Sequence, residues 1–208
     1  MRRGMRVAVP LFPAAAALGA SFGVLARTAH LDAAAAVVMS ATTFAGSSQV
    51  AAVSVLGGGG GVAAAVAAAL LLNARYAPIG ISVARSFRGS IAKRLAQAQL
   101  VVDESWALSG GDRGVLLGVG VMLWFAWVGG TAVGALAGQA IGDTSAFGLD
   151  GAFAALFFAL LVTLARSRSR VVVAIVGAAI AAVLIPFTAP GVPIIAATAA
   201  ALVGWRRA

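Results

Sequence analysis

The sequence predicts an all-α fold: a polytopic helical membrane protein of about six to seven hydrophobic segments, with one broken or re-entrant helix in the N-terminal half. Three observations carry this expectation. Of 208 residues 62% are apolar and only 10% charged, with a mean hydropathy of +1.02, whereas a soluble domain is about half apolar. Apolar runs near or above the roughly 20 residues that cross a hydrocarbon core recur from Val7 to the C-terminus. These runs also lack the strict alternation of a transmembrane β-barrel.

The apolar segments fall at 7 to 26, 33 to 56, 62 to 84, 115 to 141, 151 to 165, 171 to 187 and 190 to 205. Arg2 and Arg3 ahead of the first resemble the charged start of a signal peptide, but no small-residue cleavage site precedes a soluble domain, so this stretch reads as a retained anchor. Basic residues near segment ends mark the cytoplasmic side. The clusters Arg85, Arg88, Lys93, Arg94 and Arg113, then Arg166, Arg168 and Arg170, then Arg206 and Arg207 close with four crossings from residue 113 onward, the acidic loop 143 to 150 lying outside. Three full spans between Arg6 and Arg85 would put one basic cluster on the wrong side. One segment must therefore fail to cross, and 33 to 56 is the candidate, broken around Gly46, Ser47 and Ser48, where polar groups occupy every helical face and glycine weakens the helix. The competing piece is 7 to 26, interrupted by Pro10, Pro13, Gly19 and Gly23. Both termini then lie in the cytoplasm, and every basic residue except Arg27 and Arg75 is at the inner face.

The chain reads as one transmembrane domain, 1 to 208. Residues 87 to 113 form a cytoplasmic amphipathic connector, because Phe87, Ile91, Leu95, Val102 and Trp106 recur at helical spacing among Arg88, Lys93, Arg94 and Gln97. Gly57 to Gly61 is a flexible turn. The formal charge of +9 comes from small clusters between apolar runs, not from one soluble face, so no nucleic-acid partner is expected. Cysteine is absent, removing disulfides and thiolate chemistry. His30 is the single histidine, and no metal-ligand cluster or pair of carboxylates lies within an apolar span. Neither an enzyme nor a resident cofactor or metal is expected.

Polar residues inside apolar runs are the candidates for function, since lipid opposes them and they normally face a protein interior, a wet cavity or a substrate. The first island, Thr42 to Gln49, offers neutral hydroxyl and amide groups beside an interrupted helix whose freed N–H and C=O groups suit a zwitterion; the alternative is that the hydroxyls bond back to helix carbonyls and Gln49 links two helices. The second is Asn73-Ala74-Arg75-Tyr76, with Pro78 behind it removing a helical hydrogen bond and predicting a kink. Asn73 and Tyr76 share a face at i, i+3 and Arg75 points elsewhere. Arg75 either holds a substrate carboxylate, snorkels, or pairs with a carboxylate such as Asp103. Asp103 and Glu104 are candidates for gating or proton coupling, against a solvated loop pair. Gly130, Gly134, Gly138 and Gly142 repeat every four residues as a ridge for close helix packing, with Gln139 beside it as interhelical glue. Trp124 and Trp127 read as lipid-facing or packing aromatics.

In Gly19-Ala20-Ser21-Phe22-Gly23, Phe44-Ala45-Gly46-Ser47-Ser48-Gln49, Leu72-Asn73-Ala74-Arg75-Tyr76 and Asp103-Glu104-Ser105, in that order, the chain resembles the AzlC-type family of branched-chain amino acid exporters, the large permease subunit of a two-component system. The match is strong over the first half and rests on hydropathy in the second. Tyr76 stands where family members usually carry His. The resemblance implies export of leucine, isoleucine, valine or similar apolar amino acids, driven by the proton gradient, from the inner membrane and beside a small integral-membrane partner of the AzlD type. Together these readings predict a substrate site between the broken segment and the kink. Phe22, Phe44 and neighbouring aliphatics recognise the apolar side chain, backbone ends with Gln49 or Asn73 hold the polar head, and Gly46, Ser47, Ser48 and Arg75 complete the substrate-binding set. The alternatives are an ion or small-solute channel, or a structural subunit of a membrane complex.

Overall fold

A computed structural model describes residues 1 to 141 and 167 to 188, together with positions 158, 161, 162, 165, 196, 197, 199 and 200. Every described element is helical. The expected segments 151 to 165 and 190 to 205, the loop 143 to 150, and Arg166, Arg206 and Arg207 lie outside the described residues, apart from the isolated positions named above.

The chain starts with α1 (Arg2–Ala8), a 3-10 turn (Val9–Leu11) and α2 (Phe12–Thr28). Pro10 and Pro13 each sit in the opening turn of their element, where the missing N–H costs no helical bond. The three pieces therefore run on as one apolar rod of 27 residues, long enough to cross a membrane. α9 (Arg113–Ile141) is the second such rod. Its first amide groups are satisfied by Asp112, whose Oδ1 accepts from the N–H of Gly114 at 2.7 Å and of Val115 at 3.0 Å.

Among the described residues, α1 and α2 pack along α9 more extensively than any other elements pack together. Small residues allow this contact. A Cβ added at Gly19 or Gly23 would overlap the α9 backbone at Trp127 and Thr131, and one at Gly130 or Gly134 would overlap the α2 backbone at Ala16 and Ala20. The glycine ridge read from the sequence thus works in both directions, since lipid provides no hydrophobic drive between helices and close van der Waals approach must hold them. Phe22, Leu18, Val53, Val119, Leu123 and Trp127 fill the core beside this seam. Gly142 and the Gln139 side chain lie outside the described residues.

The segment 33 to 56 is two helices, α3 (Ala33–Thr43) and α4 (Gly46–Gly57). At about 1.5 Å per residue neither reaches across a core of about 30 Å. The break falls at Phe44 and Ala45 instead of among Gly46, Ser47 and Ser48, because Phe44 adopts a left-handed conformation (φ 43°) that terminates α3 while Gly46 opens α4. A second break separates α5 (Val62–Asn73) from α6 (Tyr76–Ala84), which meet at a 49° bend. Pro78 cannot donate to Ala74, and the Ala77 N–H bonds that carbonyl instead at 3.1 Å.

Two helices among the described residues are long and apolar enough to cross, or three if α5 and α6 make one bent span. The connector is not a single helix but α7 (Ile91–Ala98) and α8 (Asp103–Ser109). The chain turns between them where Gln99 Nε2 donates to the carbonyls of Ala41 (3.2 Å) and Thr42 (2.7 Å) at the end of α3. α10 (Arg168–Leu184) covers most of the expected segment 171 to 187.

Candidate functional site

The two helix breaks face each other. Ser48, in the first turn of α4, donates through Oγ to Asn73 Oδ1 at the end of α5. One residue earlier, Ser47 Oγ accepts from Arg75 Nη2 at 2.7 Å. Arg75 lies in the α5–α6 break, where its Nε donates to Asp103 Oδ2 at 3.2 Å and its Nη2 closes an ion pair at 3.1 Å. The Tyr76 hydroxyl reaches the same oxygen at 3.4 Å, and the guanidinium carbon lies 5.1 Å from the Tyr76 ring centre. Arg75 and Tyr76 thus share a target while Asn73 takes another, the reverse of the helical-face expectation. The reason is local: the bend between α5 and α6 resets the helical register between Asn73 and Tyr76.

The start of α8 aims the carboxylates. The fully buried Ser105 Oγ accepts from the Val102 N–H at 2.9 Å and donates to the Leu100 carbonyl at 2.9 Å, a clasp that sets the start of α8 beside Arg75.

Gln49 belongs to a different structure. It is fully buried, and both its amide oxygen and its amide nitrogen bond to protein groups. Its Oε1 accepts from the Ala45 N–H at 3.2 Å and from Trp127 Nε1 at 3.1 Å, and its Nε2 donates to Ser40 Oγ at 3.0 Å. Ser40 and Thr131 Oγ1 are 2.8 Å apart, and Thr131 donates to the Trp127 carbonyl at 2.9 Å. Because Thr131 has one proton and spends it on that carbonyl, Ser40 is the donor to Thr131. A closed ring results, from Trp127 through Gln49, Ser40 and Thr131 back to Trp127, locking α3 and α4 onto α9.

Two hollows flank the junction. The smaller, about 60 Å³, is lined by Leu11, Leu18, Phe44, Gly46, Ser47, Arg75, Tyr76, Asp103, Glu104 and Trp127, among others. The larger, about 550 Å³, lies between α6 and α7 and is lined by Phe44, Asn73, Tyr76, Val83, Phe87, Ile91, Arg94, Leu95 and Gln99, among others. Glu104 lies outside the spanning helices and faces the small hollow. Burial pushes its carboxyl up to about 7, with the Asp103 charge adding to the rise and its own backbone N–H and Arg75 opposing it.

Of the residues proposed from sequence, Phe44 borders both hollows, Asn73 the larger, and Gly46, Ser47, Arg75, Asp103 and Glu104 the smaller. Ser48 is fully buried against Asn73, and Phe22 lines neither hollow, its ring stacking on Trp127 with centroids 6.0 Å apart. Sequence reasoning missed Ser40 and Thr131 as partners of Gln49, and it missed α6 and α7 as walls of the large hollow. The amphipathic period of α7 was the available signal for the second. Nothing in the chain pairs Ser40 with Thr131, 91 positions apart.

Long apolar rods joined by glycine seams, with two broken helices meeting at a polar junction, define a helical membrane protein. The family model for the AzlC protein matches residues 10 to 141, more than half of the chain. The chain belongs to the AzlC family, which places it among membrane transport-related proteins. It has no match among curated proteins or among solved structures.

Proposed function

We propose that this protein is an inner-membrane permease exporting branched-chain and similar small apolar amino acids, driven by the proton gradient, with a small integral-membrane partner subunit and both termini in the cytoplasm. The observation that carries this reading is the meeting of the two broken helices. Ser47 and Ser48 at the start of α4 bond Arg75 and Asn73 at the other break, beside hollows that hold both apolar and charged groups. Interrupted helices present unpaired backbone ends at membrane depth, which suits the charged head of an amino acid. Apolar walls separate side chains differing by one methylene by only about 1 to 3 kcal/mol, so leucine, valine and methionine share the path. Glu104, titrating near neutrality beside the Arg75–Asp103 pair, is the proton carrier in this reading, and Asp103 holds the gate. No enzymatic step and no cofactor enters.

The test is leucine accumulation in cells fed a leucine-containing dipeptide. Cells lacking this protein and its partner accumulate leucine, and cells carrying both clear it into the medium. Equal accumulation in the two strains ends the assignment. Competition by L- but not D-leucine separates a permease from a channel, which has no stereoselective binding step.

A further inference from the structure

The two hollows differ about ninefold in size. A water molecule occupies about 30 Å³ of liquid, so the 60 Å³ hollow beside Asp103 and Glu104 has room for about two waters and none for a solute with the bulk of leucine. The hollow of about 550 Å³ falls in the range of about 300 to 1,000 Å³ typical of small-molecule sites. We propose that an apolar α-amino acid binds in this α6–α7 chamber, its carboxylate on Arg94 and its side chain on α7, while the small hollow carries only water and protons. This rests on the export reading and moves the substrate's carboxylate and side chain onto α7, across the chamber from Phe44, Ala45 and Asn73 at the two breaks.

Three features support the chamber. Ile91 and Leu95, 77% and 66% exposed, stand one turn apart on α7 and border the chamber together with Val83 and Phe87. Their apolar stripe is left uncovered by protein, and an aliphatic side chain would cover it. Arg94 borders the same space, and its guanidinium makes no hydrogen bond or ion pair among the described residues. Gln99, by contrast, is committed to the α3 carbonyls and braces the end of α7. Phe44 and Tyr76 line both hollows and are therefore the wall between substrate and carboxylates. A lipid tail would cover the apolar stripe as well, but it would leave Asn73 and Thr43 in the same chamber facing hydrocarbon.

The chain contains no cysteine, so single cysteines report each hollow without a background. Ala84→Cys marks the chamber and Ser47→Cys the small hollow, with Val102→Cys as the second reporter should Ser47→Cys fail to fold. Maleimide labelling is followed in membrane vesicles of the full-length protein, with and without L-leucine, and leucine flux is measured on the same vesicles. L-leucine is expected to slow Ala84→Cys several-fold, to leave Ser47→Cys unchanged, and to need about tenfold more leucine for protection once Arg94→Gln is added. Protection of Ser47→Cys alone, flux without protection at either position, or protection of Ala84→Cys by detergent monomers but not by L-leucine would overturn the chamber and leave the export reading standing. Loss of both flux and protection sinks the two together.

Discussion

Trp127 Nε1 donates to Gln49 Oε1 at 3.1 Å, joining the first turn of α4 to the middle of α9 with both residues buried. A glutamine that sequence reasoning offers to a substrate is thereby part of the frame. The ring it closes through Ser40 and Thr131 satisfies each polar atom internally, and the cost of breaking it falls on the groups left behind.

Gln49→Met keeps the side chain's reach but strands the Trp127 and Ala45 N–H groups. The expected loss is about 2 to 4 kcal/mol of stability, read as a lower thermal midpoint in detergent. Adding Trp127→Phe removes one stranded donor but also core volume, so the double variant is expected to lose less than the sum of the two single variants. Additive losses in the double variant would show that the two residues are not coupled.

The Arg75–Asp103 pair holds the α5–α6 bend against the start of α8, with its side chains 18% and 19% exposed. Removing one partner leaves a poorly solvated charge. Arg75→Gln or Asp103→Asn alone is expected to cost about 2 to 4 kcal/mol, and the double variant less than the sum by about 1 to 2 kcal/mol. A double-variant thermal cycle measures the coupling, and strict additivity contradicts the pairing.

Glu104 gives a pH dependence of defined sign. Its carboxyl is raised from 4.5 to about 7, so the folded chain binds a proton there that the unfolded chain has already released. Stability therefore falls as pH rises from about 4.5 through 7 and is flat above. Thermal midpoints between pH 5 and 8 are expected to decline in the native protein and to flatten in Glu104→Gln. The same slope in both proteins would assign the titration elsewhere.

Gly134→Val tests the seam. Even a Cβ at this position overlaps the Ala20 backbone of α2, which cannot swing aside as a flexible side chain would. Loss of several kcal/mol is expected, more than the roughly 1 to 3 kcal/mol of ordinary overpacking. Gly129→Ala, five residues earlier on α9 with open space at its Cβ position, serves as the control and is expected to lose no stability in the same melting assay.

Much of the architecture was legible in the sequence because it is written in local terms. Apolar run length marked the long rods, the four-residue spacing of Gly130 and Gly134 marked a packing ridge, and Pro78 marked the bend before α6. The break in 33 to 56 was legible in kind but misplaced by two residues, since composition singles out Gly46 while the left-handed turn falls on Phe44, a residue that rarely adopts it. The polar islands were visible as groups that lipid would reject.

Their assignments were decided only in three dimensions. Composition alone determined that this chain lives in a membrane and that Ser47, Ser48, Gln49, Asn73 and Arg75 must turn inward, because an unsatisfied polar group in hydrocarbon is costly wherever it stands. Which of them face a hollow and which face protein depends on partners far along the chain. Trp127 claims Gln49, Thr131 claims the Ser40 beside it, Asp103 claims Arg75, and Phe44 with Tyr76 divides the space between. A hydrogen bond needs its two ends within about 3 Å, and only the packing of α3 and α8 onto α9, with α4 held against α2 and α5, brings those ends together.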